Sequence, residues 1–299
     1  MTTPIYATGF KLLRKSLPIL FAFISFVPSF AFAVDVIEAD VNTIIESKNN
    51  KLTVWRVAGN ENIFIFDFPN LTMQGHTFNR ATQFNEQQFK GAPYAQVLNN
   101  EALQKYMDAV RRTNADFAFG HDLLVSELVQ FFNLVDRDKI GIFPEEVVLR
   151  DFLLEYGLIK QWRDFYQALK PDVVILSVPQ KQERRDFEPK VTALARYTIF
   201  SHEMAHAEFY TNKYYSDYCR KFWNNLSDTE RSAFINFFKK YNYQIDNAEL
   251  LVNEMQAYLM FTPDFNSFSA SRLGVTEESL ESMRQRFRAG KPPTKLKIF

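Results

Sequence analysis

Apolar positions recur along this chain with two periods, and the change between them orders it. "KLTVWRV" and "NIFIFDFP" are β-rich runs around the turn-like "AGNEN", which predicts a hairpin over about residues 52–68. From about residue 95 the spacing becomes three and four in "NEALQKYMDAVRR", "HDLLVSELVQFFNLV" and "PEEVVLRDFLLEY", which predicts three helices. Pro144 opens the third, where a missing N–H costs nothing. "DVVILSV", at 172–178, is β-branched and closed by Pro179, so it reads as a strand. The charged "PQKQERRDFEPK" that follows reads as a solvated loop.

A helix without Gly or Pro is predicted from Val191 to about Tyr210. Ser227-Asp228-Thr229-Glu230 matches a capping box and opens a helix to about Lys240. Asp246 to Glu249 opens another more loosely, and Pro263 ends it. The result is an α+β layout in which helices dominate. It divides into a mixed region over 34–170, a region over 171–265 that carries the chemistry described below, and a C-terminal helix with a basic tail over 266–299.

The first 33 residues stand apart. Lys11, Arg14 and Lys15 precede an apolar run from Leu17, and Ala31-Phe32-Ala33 places small residues where an export peptidase reads them, so we expect a signal peptide. Ser25, Pro28 and Ser29 interrupt the run, which is short for the ~20 apolar residues of a membrane span. The expected compartment is periplasmic or extracellular, with no stable membrane association after cleavage. Removing 33 of 299 residues leaves 266, with 32 basic against 35 acidic side chains, since the leader holds three basic and no acidic ones. That balance offers no footprint for nucleic acid. Cys219 is the lone cysteine, so no internal disulfide can form and no catalytic role is assigned to it.

Two of the four histidines stand in "HEMAH", 202–206. Residues i and i+4 share a helix face, so His202 and His206 can aim at one point. Glu203 is rotated by about 100° from His202, beside that point. Two histidines satisfied within a core are the competing explanation. A predicted helix after a predicted strand in an exported chain argues for a metal.

In "HEMAH" the chain resembles the zincin metallopeptidases, whose signature is H-E-x-x-H. The resemblance spans residues 172–263 at motif level, and 34–170 matches nothing. It implies a small sheet beside the motif helix, with an edge strand that aligns an extended peptide or protein substrate, a role falling to "DVVILSV". It further implies Zn2+, hydrolysis by metal-activated water, and Glu203 as general acid and base. Phe209 and Asn212 stand where metzincins place a glycine and a third ligand, which excludes that branch. The gluzincin branch takes a glutamate from a later helix, often within N-E-x-x, and Asn253-Glu254 fits that pattern. Glu254 also lies in a stripe of Leu250, Leu251, Ala257, Tyr258 and Phe261, where an unpaired carboxylate is costly and a metal would compensate it.

Rivals for the third ligand are Asp217, Glu208 and His121. Asp217 lacks the lead-in of the aspzincin branch, and Glu208 is two residues past His206 and points away. His121, in "FGHDLL", is read as opening a helix and as a candidate ligand or cleft residue. Tyr258, one turn after Glu254, is a candidate to bond a ligand or a developing oxyanion, although any polar partner would satisfy a buried tyrosine. A non-catalytic zincin-fold binding or scaffold protein of the cell envelope is the alternative function. The exported protein should begin at Val34, which N-terminal sequencing reads; a retained Met1 on the exported form would contradict the leader.

Overall fold

The computed structural model describes residues 35–86, 96–185 and 187–294. The expected leader and the last five residues of the basic tail lie outside them. In the first part of the chain, strand β1 (Val36–Ala39) leads to helix α1 (Val41–Glu46), and β2 (Thr53–Val57) and β3 (Ile63–Phe68) are followed by α2 (Leu71–Glu86) and α3 (Asn100–Ala109). Then come β4 (His121–Leu124), α4 (Val125–Arg137), α5 (Pro144–Glu155), and the pair β5 (Ile159–Trp162) and β6 (Phe165–Ala168). After β7 (Val174–Pro179) the chain is helical: α6 (Ala193–Thr211), α7 (Lys213–Asn224), α8 (Asp228–Lys240), α9 (Ala248–Phe261), α10 (Ala270–Leu273) and α11 (Glu277–Gly290).

The expected hairpin forms, with Val54 opposite Phe66 in the antiparallel β2–β3 pair. The main sheet runs β1-β2-β3-β7-β4. Strand β7 thus sits between β3 and β4, and the two expected regions on either side of residue 170 share one sheet. The placement corrects one expectation: "DVVILSV" is an interior strand, and the edge beside it is β4. It corrects a second, because "HDLL" is strand and the helix begins only at Val125. Four residues with apolar positions at either period do not discriminate between the two, and antiparallel pairing with β7 decides the matter.

Alternation along the strands sends side chains into two layers. Trp55, Ile63, Ile65, Val174, Leu176 and Val178 pack with α6, α7, α8 and α9 on one face. Val54, Phe64, Phe66, Phe68, Leu123 and Ile175 pack with α2, α4 and α5 on the other. The molecule is a mixed α/β structure in which helices cover both faces of a small sheet. Helix α2 was not legible as a helix: "LTMQGHTFNRATQFNE" is mostly polar, and beside Leu71, Phe78 and Ala81 it buries Gln74, Thr77, Asn79 and Arg80. Among the described residues no helix is long and apolar enough to cross a membrane.

One buried ion pair fixes α6 on the sheet. Arg196 lies in its second turn and Asp67 on β3, and both are withdrawn from solvent. Arg196 Nη1 donates to Asp67 Oδ1 at 2.8 Å and to the Pro179 carbonyl at 2.6 Å. Its Nη2 donates to Asp67 Oδ2 and the Ile44 carbonyl, each at 3.0 Å, and Nε donates to the Ile45 carbonyl at 3.1 Å. The five N–H groups therefore tie α6, α1, β3 and β7 together. Arg196→Met should cost about 3–5 kcal/mol in denaturant unfolding, because it strands a buried carboxylate. Adding Asp67→Asn should recover part of the loss; a double variant no more stable than the single one would contradict that cause.

Candidate metal centre

Helix α6 starts at Thr192, whose side chain accepts the Ala195 N–H at 3.0 Å. With no Gly or Pro to break it, it carries the "HEMAH" turn between the sheet and α9. His202 and His206 stand on the same face with ring centroids 4.7 Å apart. Helix α9, capped by the Asn247 side chain on the Leu250 N–H, brings Glu254 against them. His202 Nε2 lies 3.6 Å from Glu254 Oε2, and His206 Nε2 lies 3.9 Å from Glu254 Oε1. Tetrahedral ligands at about 2.0–2.1 Å from zinc stand roughly 3.3 Å apart, so these atoms surround a point of suitable size.

Hydrogen bonding assigns the His202 tautomer. The Thr262 hydroxyl donates to the Ala257 carbonyl at 3.0 Å, so at its 2.9 Å contact with His202 Nδ1 it accepts. Nδ1 then carries the proton, and Nε2 presents a lone pair to Glu254 Oε2. Burial lowers the pKa of both imidazoles to about 4, which favours neutral rings. With Glu254 ionised, two acceptors thus face each other across 3.6 Å, and Glu254 Oε2 has no hydrogen-bond partner among the described residues. A cation placed between them would pair with both atoms. The donor set of two neutral imidazoles and one carboxylate suits zinc.

Protein-family models, curated proteins and solved structures were compared with this chain, and none matches it.

Around this cluster the remaining site residues sort by geometry. Burial, and then the Glu254 charge, raise the Glu203 pKa well above the ordinary carboxylate range. A Cβ on Gly120 would come within 2.1 Å of Glu203 Oε1, so the segment before β4 approaches this carboxylate as only glycine allows. The Tyr258 ring lies 4.7 Å from that of His202, and its hydroxyl meets the Tyr243 hydroxyl at 3.3 Å. Tyr243 in turn opposes the rise in the Glu254 pKa. The cluster opens into a cavity of about 540 Å³.

The structure does not bring His121 to the site. It lies on β4 facing α2, stacked on Phe78, with Nδ1 2.6 Å from Ser177 Oγ and Nε2 2.9 Å from Asn79 Oδ1. Its neighbour Asp122 takes the opposite face and stands 3.9 Å from His206 Nδ1, an atom with no hydrogen-bond partner among the described residues. Reading "HDLL" as a helix hid this alternation, which would have separated the two residues. Asp217 pairs with Lys213 and Arg220 on α7, and Glu208 accepts from Asn212, so neither joins the cluster. Thr262, Gly120 and Tyr243 carried no sequence signal, since each acts through one contact from a distant segment.

Burial raises the Glu254 pKa, and His206 and then Tyr243 oppose that rise. A raised folded pKa means the fold is favoured below the unfolded value near 4.5 and penalised as pH rises. Glu254→Leu should therefore stabilise the metal-free protein, more at pH 7 than near pH 4, and abolish stabilisation by added zinc. Thermal melts at both pH values, with and without zinc, read this; zinc stabilisation that survives the substitution would remove Glu254 from the ligand set.

Proposed function

We propose that this protein is a zinc-dependent peptidase of the zincin type, gluzincin branch, with His202, His206 and Glu254 as metal ligands and Glu203 as general acid and base. The observation that carries the reading is the His202 lone pair directed at a buried carboxylate oxygen that has no other described partner. When bound, zinc supplies Lewis-acid chemistry, polarising a carbonyl and acidifying water.

The chain's own groups divide the remaining work. Thr262 holds the tautomer of His202, and Asp122 is placed to orient His206 from its other ring nitrogen. Glu203, with its pKa raised by burial and by Glu254, takes a proton from water and returns it to the leaving amine. Tyr258 keeps its proton, because burial and the Glu254 charge raise its pKa far above neutrality, and we assign it to the developing oxyanion. Among the described residues β4 pairs on one side only, and an extended substrate strand would add to its other side. Export of the protein belongs to the same proposal and rests on residues 1–33 alone.

Glu203→Gln should retain one zinc per chain while lowering hydrolysis of an unfolded protein substrate by about 10²–10⁴-fold. Gly120→Ala should act similarly, because its Cβ displaces the same carboxylate. Metal analysis beside the hydrolysis assay, run with and without chelator, checks both. Loss of zinc in Glu203→Gln would make that residue a ligand, and a zinc-loaded wild type with no hydrolysis would favour a binding or scaffold protein.

A further inference from the structure

The cavity around the cluster is acidic at its buried end and basic where it meets solvent. Asp122, Glu203 and Glu254 line it inside, whereas Arg112, Lys240 and Arg272 line it with exposed side chains. The whole chain is balanced at 35 basic and 35 acidic residues, so three cations at one mouth are a local arrangement. They come from three segments: the turn after α3, the last residue of α8, and α10. Arg272 Nη1 donates to the Tyr241 hydroxyl at 2.8 Å, which places it beside Lys240 on one wall. Asn242 Nδ2 donates to the Tyr106 hydroxyl at 3.1 Å, which brings the end of α3 to the same mouth.

The acid at this mouth is already engaged. Asp116 accepts from Thr113 Oγ1 at 2.8 Å and lies 3.9 Å from Arg112. Among the described residues no carboxylate stands within ion-pairing distance of Lys240 or Arg272. Tyr106, Phe117, Phe119 and Tyr243 are among the aromatic residues that also line the cavity. Cations set in such low-dielectric walls focus an attractive field on an incoming anion, and a guanidinium grips a carboxylate with two parallel bonds. The same charges repel a basic ligand.

We propose that this cleft recognises peptides by a carboxylate, from an acidic side chain or from the free C-terminus, through Arg112, Lys240 and Arg272. That the bound peptide is then cut rests on the zinc-peptidase reading; the recognition does not.

Binding of short fluorescent peptides to the zinc-loaded Glu203→Gln protein, followed by anisotropy, tests the recognition without turnover. The peptides share one apolar frame and carry Glu, Gln or Lys, each with a free or an amidated C-terminus. The carboxylate-bearing peptides should bind about tenfold tighter than the amidated Gln peptide, with the advantage fading at high salt. Added Lys240→Glu and Arg272→Glu should abolish the advantage at unchanged zinc content. Lys240→Gln with Arg272→Gln should do so in part, and serves if the reversed pair fails to fold. A gain from Glu in amidated peptides identifies side-chain carboxylates, and a gain only from the free terminus identifies the terminal one.

Equal binding of all six peptides, or an acid preference that survives the substitutions, overturns the proposal. Wild-type protein that binds acidic peptides preferentially yet cleaves none would overturn the peptidase reading alone. Cleavage of all six without preference would do the reverse.

Discussion

A lone pair and a carboxylate oxygen face each other inside this protein, and much of the surrounding structure holds them there. With the Thr262 hydroxyl hydrogen on the Ala257 carbonyl, the Thr262 oxygen accepts from His202 Nδ1, and the His202 proton points away from Glu254. Glu254 cannot withdraw to water, because it lies in the buried face of α9. An arrangement that brings acceptor to acceptor at 3.6 Å is unfavourable by itself and becomes favourable once a cation stands between them. Under the proposed zinc reading the cost would fall on the metal-free fold and the gain on the metal-bound one, which would couple metal affinity to the packing of α6 on α9.

That packing is referred to the sheet by Arg196 and Asp67, and the sheet in turn delivers β4. Its place at the edge brings Gly120 and Asp122 over the motif helix. The polar helix α2 takes part from the far side. Gln74 Nε2 donates to the Phe119 carbonyl and to Ser177 Oγ, each at 3.0 Å, and Asn79 Nδ2 donates to the Asn114 carbonyl at 2.9 Å. These side chains hold the backbone that leads into β4, so α2 buries amides beside its apolar Leu71, Phe78 and Ala81.

How much was legible follows from this division of labour. The β2–β3 hairpin, α5, α6, α8 and α9 carry their own periodicity, capping residues or proline stops, and they form where the pattern placed them. His202, Glu203 and His206 are local on one helix, so spacing sufficed to place them beside one another. Glu254 was legible through an anomaly, a carboxylate in an apolar stripe. Helix α2 was not, because its reason for burial is the partner backbone and not its own composition. Asp122 was missed for a related cause: "HDLL" is short enough for either period, and only its pairing with β7 decides which neighbour faces the motif helix.

The two faces of β4 carry different chemistry one residue apart. His121 is locked behind the strand by Ser177, Asn79 and Phe78, while Asp122 looks toward His206. A slip of the strand by one residue would exchange them, turning His121 toward His206 and driving a carboxylate into the phenylalanine layer. The misregistered strand would lose the hydrogen bonds of His121 to Ser177 and Asn79 and would bury an unpaired carboxylate, and both costs hold the register.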